Sequence, residues 1–321
     1  MAVNNIVTMT NHNFELDCKR IHDSLGGLSQ LIPSLACLTH LERQQLRETF
    51  KAVYGEDLIS HLQRYEDELS SSSLNCSALS WWVLDPHDRD AVLAREALQH
   101  DETNFKALVE IFVGRKSSHV LLIMQAYQKM FRRQLDQDII NLDPPHPFQK
   151  ILVALAASHK AHQADVSHHM SKCDARRLYE TGEGSLGAVD EAVVLEILSK
   201  RSIPQLKLTF FSYKHIYGHD YTKPIKGGKY GQFGKALMVV VKCICNPPHY
   251  YAKILYSSLK GETRDTRILA RALVSRAEVD IEEIKRVFKE KYEKELIDVI
   301  SEEIPFGDYR NFLVALASRS K

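Results

Sequence analysis

The sequence predicts an all-α protein made of four copies of one helical module, and three observations carry that expectation. First, an anchor followed by aromatic residues 12 and 16 positions later occurs four times: Leu38 with Phe50 and Tyr54, Arg115 with Tyr127 and Phe131, Arg201 with Tyr213 and Tyr217, and Arg276 with Phe288 and Tyr292. A shared offset at four sites marks an internal repeat. Second, aliphatic residues recur at offset 5 (Val120, Leu206, Ile281) and offset 8 (Leu46, Ile123, Ile284). With the aromatics they trace one face of a helix of period 3.6. Third, no alternating strand pattern of convincing length occurs, and Pro86, Pro144, Pro145, Pro147, Pro204, Pro247, Pro248 and Pro305 stand where helices should end.

Taken in order, each anchor opens an amphipathic helix. At offset 38 the near-identical segments Val153-Ala154-Leu155-Ala156 and Val314-Ala315-Leu316-Ala317 appear, with Val239 in the third copy and Leu79, three residues late, in the first. The last helix of each unit is therefore apolar and buried. Anchor spacings of 77, 86 and 75 residues give units of four to five helices. The expected boundaries are 14–86, 87–158, 168–248 and 249–318. The extra length falls in a polar linker around Ser158 to Asp174 that carries His159, His162, His168 and His169. Four modules replace the two or three domains that length alone suggests at roughly 100 to 200 residues each.

Composition narrows the partners. With 42 Lys+Arg against 41 Asp+Glu in 321 residues, the net charge is +1, which argues against a dedicated nucleic-acid binder. Six scattered cysteines without framework spacing, and an opening Met1-Ala2-Val3-Asn4-Asn5 that starts no signal peptide, point to the reducing cytosol. The apolar run Ala236 to Val241 stops at Lys242, far short of the ~20 residues of a membrane span.

The segments Asp85-Pro86-His87-Asp88-Arg89-Asp90-Ala91, Asn246 to Leu255, Ser275 to Asp280 and Gly307 to Leu313 closely resemble the annexin family over about residues 14 to 318. Trp82-x-x-Asp85-Pro86 resembles its plant branch. The resemblance implies four five-helix repeats in a slightly curved disc, whose convex loops bind Ca2+ and, through it, acidic phospholipid membranes. It further implies a non-enzymatic cytoplasmic protein, peripheral at the plasma membrane or endomembranes, with self-association on membranes among the family's possibilities.

The family's calcium loop is Gly-x-Gly-Thr, followed after 38 intervening residues by Asp or Glu. Calcium takes six to eight oxygens, glycines turn backbone carbonyls toward the ion, and the distant carboxylate caps it. In the fourth module Lys260-Gly261-Glu262-Thr263-Arg264 is followed at that distance by Glu303. One glycine and the acid are present; Thr263 replaces the second glycine and Arg264 the threonine. A weakened site is expected, with Lys260, Gly261, Thr263 and Glu303 as its ligands. The alternative is a polar turn with Glu303 a solvated helix-end carboxylate. In the first module Gly26 and Glu68 occupy the matching places, but Leu28 replaces the second glycine, Pro33 interrupts the next helix and three residues shift the register. The second and third modules have Leu142 and Gly228 at the acid's position and no carboxylate cap.

The third module is unusually basic. Lys214, Lys223, Lys226, Lys229 and Lys235 share a stretch with one acid, Asp220. Lys223, Lys226 and Lys229, with Lys260, are candidates for holding anionic lipid directly, each surface lysine contributing ~1 kcal/mol near a charged leaflet; the alternative is a solvated basic loop. Asp90, Glu110, Arg115 and Arg271 fall where the resembling family lines a polar centre between modules. The expected meaning is structural packing, and the alternative function is a calcium-permeable channel or transport component. Gly228 to Ala236 fails as a phosphate-binding loop because five residues separate Gly228 from Gly234 and no Ser or Thr follows Lys235. The linker histidines lack the spacing of a zinc site. Cys243 and Cys245 read as core residues, and so do Trp81 and Trp82. A peroxidase-like activity described for some relatives is not carried over, because Cys37 and Leu38 stand near the histidine's place.

Overall fold

The computed structural model describes residues 13–23, 32–68, 76–99, 103–157, 165–261 and 265–319. Among them are twenty α-helices and no strand, in four successive sets of five. The first set is α1 (Phe14–Asp23), α2 (Ile32–Cys37), α3 (His40–Tyr54), α4 (Leu58–Glu68) and α5 (Cys76–Val83). The second is α6 (Pro86–Gln99), α7 (Phe105–Val113), α8 (Ser117–Phe131), α9 (Leu135–Ile140) and α10 (Pro147–Ala156). The third is α11 (His168–Leu178), α12 (Glu191–Lys200), α13 (Ile203–Tyr217), α14 (Thr222–Lys226) and α15 (Gly231–Cys245), with a π turn over Tyr179–Glu183 after α11. The fourth is α16 (Pro247–Lys260), α17 (Thr266–Arg276), α18 (Ile281–Tyr292), α19 (Leu296–Glu303) and α20 (Asp308–Ala317).

The anchors Leu38, Arg115 and Arg201 sit two residues before the third helix of their sets, whereas Arg276, expected to open a helix, instead ends α17 five residues before α18. Thr39 starts α3 with a reciprocal cap: its hydroxyl accepts from the Glu42 amide at 3.3 Å and the Glu42 carboxylate accepts from the Thr39 amide at 2.7 Å. Ser202 caps α13 through the Gln205 amide at 3.4 Å. The first aromatics, Phe50, Tyr127, Tyr213 and Phe288, are all 0% exposed, as the helical face requires. The second aromatics are half-buried. Tyr54 stacks on His22 at 4.0 Å, Tyr217 on Tyr179 at 4.0 Å and Tyr292 on Tyr256 at 3.8 Å, whereas Phe131 meets the Arg95 guanidinium at 5.9 Å. Each second aromatic thus ties the third helix to the first helical segment of its set.

The residue after each second aromatic is left-handed in all four sets: Gly55 (φ 73), Arg132 (φ 56), Gly218 (φ 77) and Glu293 (φ 57). Each donates its amide back to the helix it terminates, at 2.9 to 3.0 Å. This conformation costs a side-chain-bearing residue about 1–2 kcal/mol, which Arg132 and Glu293 accept and the two glycines avoid.

The chain divides by contact into two compact units, Met1–Asp85 with Tyr251–Lys321, and Pro86–Tyr250. In the first unit α2 packs along α20, and α17 packs on α5 and α20. Trp82 is 0% exposed and donates its indole N–H to the Leu35 carbonyl at 2.9 Å. Its ring lies under the guanidinium groups of Arg43 at 3.9 Å and Arg319 at 5.0 Å. Arg43, 1% exposed, forks onto Glu278 with two 2.9 Å hydrogen bonds and donates a third to the Leu38 carbonyl at 2.7 Å.

In the second unit α10 packs on α7, α12 and α15, and α11 on α13. Two of its anchors are themselves ion-pair arms. Arg115 forks onto Asp90 at 2.5 and 3.1 Å, and Arg201 onto Asp174 at 2.7 and 3.1 Å. Both aspartates are 1% exposed. The polar linker expected to run to Asp174 therefore ends earlier: α11 begins at His168, capped by Ser167, and buries Ser171 and Asp174. Its polar composition hid it, because half of the residues it buries, Ser171 and Asp174, are hydrogen-bonded rather than apolar, and only Ala175 and Leu178 give an apolar signal. Cys243 is buried as expected, but Cys245 is exposed, since two positions along a helix turn a side chain to the other face.

Candidate functional site

Three of the loops between first and second helices close alike. Asn104, Asp190 and Asp265 each donate the backbone amide to a carbonyl upstream (Ala97, Thr181 and Ser258, at 2.8, 3.0 and 3.3 Å). Each side chain then caps the helix that follows, α7, α12 or α17.

In the fourth module the distant acid reaches this loop. Glu303, the last residue of α19, is 12% exposed at its side chain and accepts a short charge-assisted hydrogen bond from the Lys260 ammonium. Glu302 lies 3.9 Å from the same nitrogen and pairs at 3.0 Å with Lys294. The Glu303 hydrogen bond holds the Lys260 ammonium protonated above its usual range. Gly261, whose amide bonds to the Ser257 carbonyl at 2.9 Å, follows directly, and Thr263 lies outside the described residues. Phe306, three residues past Glu303, is 80% exposed beneath the Arg310 guanidinium at 4.7 Å. The Glu303 carboxylate is an oxygen donor of the kind calcium takes, and it meets the chain at Lys260, where α16 gives way to the loop. Its charge, however, is already matched by a lysine.

The third module holds its loop differently. Lys229 donates its ammonium to the backbone carbonyls of Ser185 at 2.7 Å and Glu183 at 3.3 Å. The Glu183 carboxylate is engaged elsewhere, accepting the Tyr213 hydroxyl at 2.8 Å and lying 3.3 Å from the His219 ring. Burial and that carboxylate push the Tyr213 phenol well above its usual range. Between the two carbonyls and Gly187 stands Leu186, fully exposed at 107%. Gly182 packs so closely on Tyr230 that a Cβ would come within 2.3 Å of its phenol oxygen, which binds this loop to the segment carrying Lys229. Lys223, Lys226 and Lys235 are exposed and make no ion pair among the described residues, whereas Lys214 pairs with Asp220 at 3.2 Å.

Of the other expected residues, Gly26 and the side chain of Glu68 lie outside the described residues. Asp90 and Arg115 meet each other inside the second module, as described above. Glu110, 5% exposed, accepts the Tyr250 hydroxyl at 3.2 Å in the same unit. Arg271 is 7% exposed on α17 of the other unit. Among the described residues no cluster of three His, Cys, Asp or Glu side chains is placed to hold a metal, and no helix is long and apolar enough to cross a membrane. Sequence reasoning missed Leu186 and Phe306, whose only signal is a large apolar residue next to a glycine between helices. It also missed the pairing of Lys229 with backbone carbonyls, which leaves no trace in spacing.

Four successive sets of five helices define an all-α repeat protein. The sequence model of the Annexin family matches residues 89–155, 173–240 and 250–316. The mouse protein Annexin A13 is 34% identical over 313 residues, covering 95% of this chain and 96% of its own. The solved structure of annexin III superimposes with a TM-score of 0.85 at 31% identity, covering 97% of this chain and 96% of its own. A calcium-bound annexin (Sm)1 shares the fold at a TM-score of 0.77 and 23% identity. This chain belongs to the annexin family. It is a family of calcium-dependent phospholipid-binding proteins, generally without enzymatic activity and peripheral to membranes.

Proposed function

We propose that this protein binds acidic phospholipid membranes peripherally, through an attenuated calcium site in the fourth module and a basic loop in the third. The repeats are assigned to residues 14–86, 87–158, 168–248 and 249–318, a division supported by the helix starts at Phe14, Pro86, His168 and Pro247. The observation that carries the reading is the Lys260–Glu303 ion pair: the acid stands at the loop as a calcium cap should, but with a cation already on it. When bound, calcium supplies a divalent charge that joins loop oxygens to lipid phosphate. The carbonyls of Lys260, Gly261 and Thr263 and the Glu303 carboxylate would hold it, and Lys260 must first yield its hydrogen bond. Attenuation follows from that competition. Direct lipid contact by Lys223, Lys226, Lys229 and Lys260 is supported by their exposure and by the exposed apolar Leu186 and Phe306 of the same modules.

Sedimentation with phosphatidylserine vesicles tests this. Wild-type protein is expected to bind more with calcium than with chelator, yet to keep a chelator-resistant fraction. Changing Lys223, Lys226 and Lys229 together to Glu should weaken the chelator-resistant binding about a hundredfold, at ~1 kcal/mol for each lysine lost. The reading of the basic loop fails if chelator abolishes all binding or the triple variant sediments like wild type. No described feature favours the channel alternative over this one, since Asp90 and Glu110 are each engaged by a partner within one unit.

A further inference from the structure

We infer that Lys229 serves the third loop as a built-in cation: its ammonium takes the role that a divalent ion plays in a loop of this kind, and keeps the loop ready to dock on an acidic lipid surface without calcium. This rests on the acidic-lipid reading above. The argument begins with the loop's oxygens. Backbone carbonyls turned to one point repel each other unless a positive charge sits among them, and this loop has no carboxylate partner to recruit a metal, since Gly228 stands where the acid would be. Lys229, the next residue, bridges the Ser185 and Glu183 carbonyls at 2.7 and 3.3 Å. Gly228 has φ 90, a left-handed turn that glycine adopts freely, immediately before the lysine.

An ammonium has three donors. Two are spent on the loop, and the third has no protein partner among the described residues, so it is available to a phosphate oxygen. Around the tether the loop is internally bonded: the Gly184 amide to the Tyr179 carbonyl at 2.8 Å, the Ser185 amide to the Gly182 carbonyl at 3.2 Å and the Gly187 amide to the Ser185 hydroxyl at 3.1 Å. Exposed Lys223 and Lys226 on α14 add charge of the same sign. A negatively charged bilayer surface is the occupant that matches two unpaired lysines and a fully exposed leucine together.

Lys229→Met keeps the stem and removes the charge, while Lys235→Met removes an exposed charge that touches no loop carbonyl. Both are compared with wild type in the full chain. Without lipid, amide hydrogen exchange at Gly184, Ser185 and Gly187 is expected to quicken about tenfold in Lys229→Met only. In chelator, sedimentation with phosphatidylserine vesicles should fall at least fivefold in Lys229→Met and less than twofold in Lys235→Met, and the calcium-dependent increment should be unchanged in both. Equal losses in the two variants, or unaltered exchange in Lys229→Met, would overturn the tether and leave a lysine acting only as charge. If wild type fails to sediment with these vesicles with or without calcium, the acidic-lipid reading falls, while the exchange data still judge the tether separately.

Discussion

Replacing Arg43 with Ala is expected to destabilise the unit formed by the first and fourth modules by at most about 3–5 kcal/mol, the cost of stripping one partner from a fully buried ion pair, since Glu278 keeps 30% exposure. Arg43 is 1% exposed and makes three hydrogen bonds of 2.7 to 2.9 Å, two of them to Glu278, which lies 235 positions further along the chain. Its removal also uncovers one face of Trp82, where the guanidinium stacks at 3.9 Å. Arg319, 3.6 Å from Glu278, offsets part of the loss, which places the expectation at the lower end of the range. Lys should not rescue, because a point charge supplies neither the fork nor the planar stack. Urea denaturation followed by tryptophan fluorescence checks this, since both tryptophans of the chain are buried in that unit. A midpoint within experimental scatter of wild type would contradict it.

Lys260→Met is expected to act in the opposite sense on function: it should make the protein more responsive to calcium. The lysine stem remains, its backbone carbonyl remains, and only the ammonium that holds Glu303 is lost. A carboxylate relieved of a competing cation should take calcium roughly three- to tenfold more readily, the small factor expected where solvent screens the pair. The calcium concentration giving half-maximal vesicle sedimentation should fall by that factor, while binding in chelator falls up to about fivefold with the lost charge. A half-maximal concentration that stays the same or rises would show that Lys260 does not compete for the site.

Much of this was readable in the sequence, for identifiable reasons. The four aromatic pairs announced the repeat because a helix face that must be buried cannot drift, and all four first aromatics are fully buried. The acid Glu303 was legible because loop and acid keep a fixed separation. Other features were hidden by their chemistry. Helix α11 buries Ser171 and Asp174, so a search for apolar periodicity passes over it. The ion-pair arms Asp90 and Asp174 are partners of Arg115 and Arg201 across a turn of the chain, which no local pattern encodes. The left-handed ends of the third helices were half visible, as Gly55 and Gly218, and half concealed under Arg132 and Glu293. The role of Lys229 was invisible because its partners are backbone carbonyls, which every residue possesses.

In the fourth module the Lys260 ammonium sits on the Glu303 carboxylate, and in the third the Lys229 ammonium sits on the Ser185 and Glu183 carbonyls, the oxygens and cations that the proposed membrane binding uses. The most direct test of this account is calorimetric titration of calcium into the protein with phosphatidylserine vesicles present, comparing wild type with Glu303→Gln. The account predicts a binding heat in wild type that disappears in Glu303→Gln while the chelator-resistant vesicle binding persists. An unchanged calcium isotherm in Glu303→Gln would contradict it.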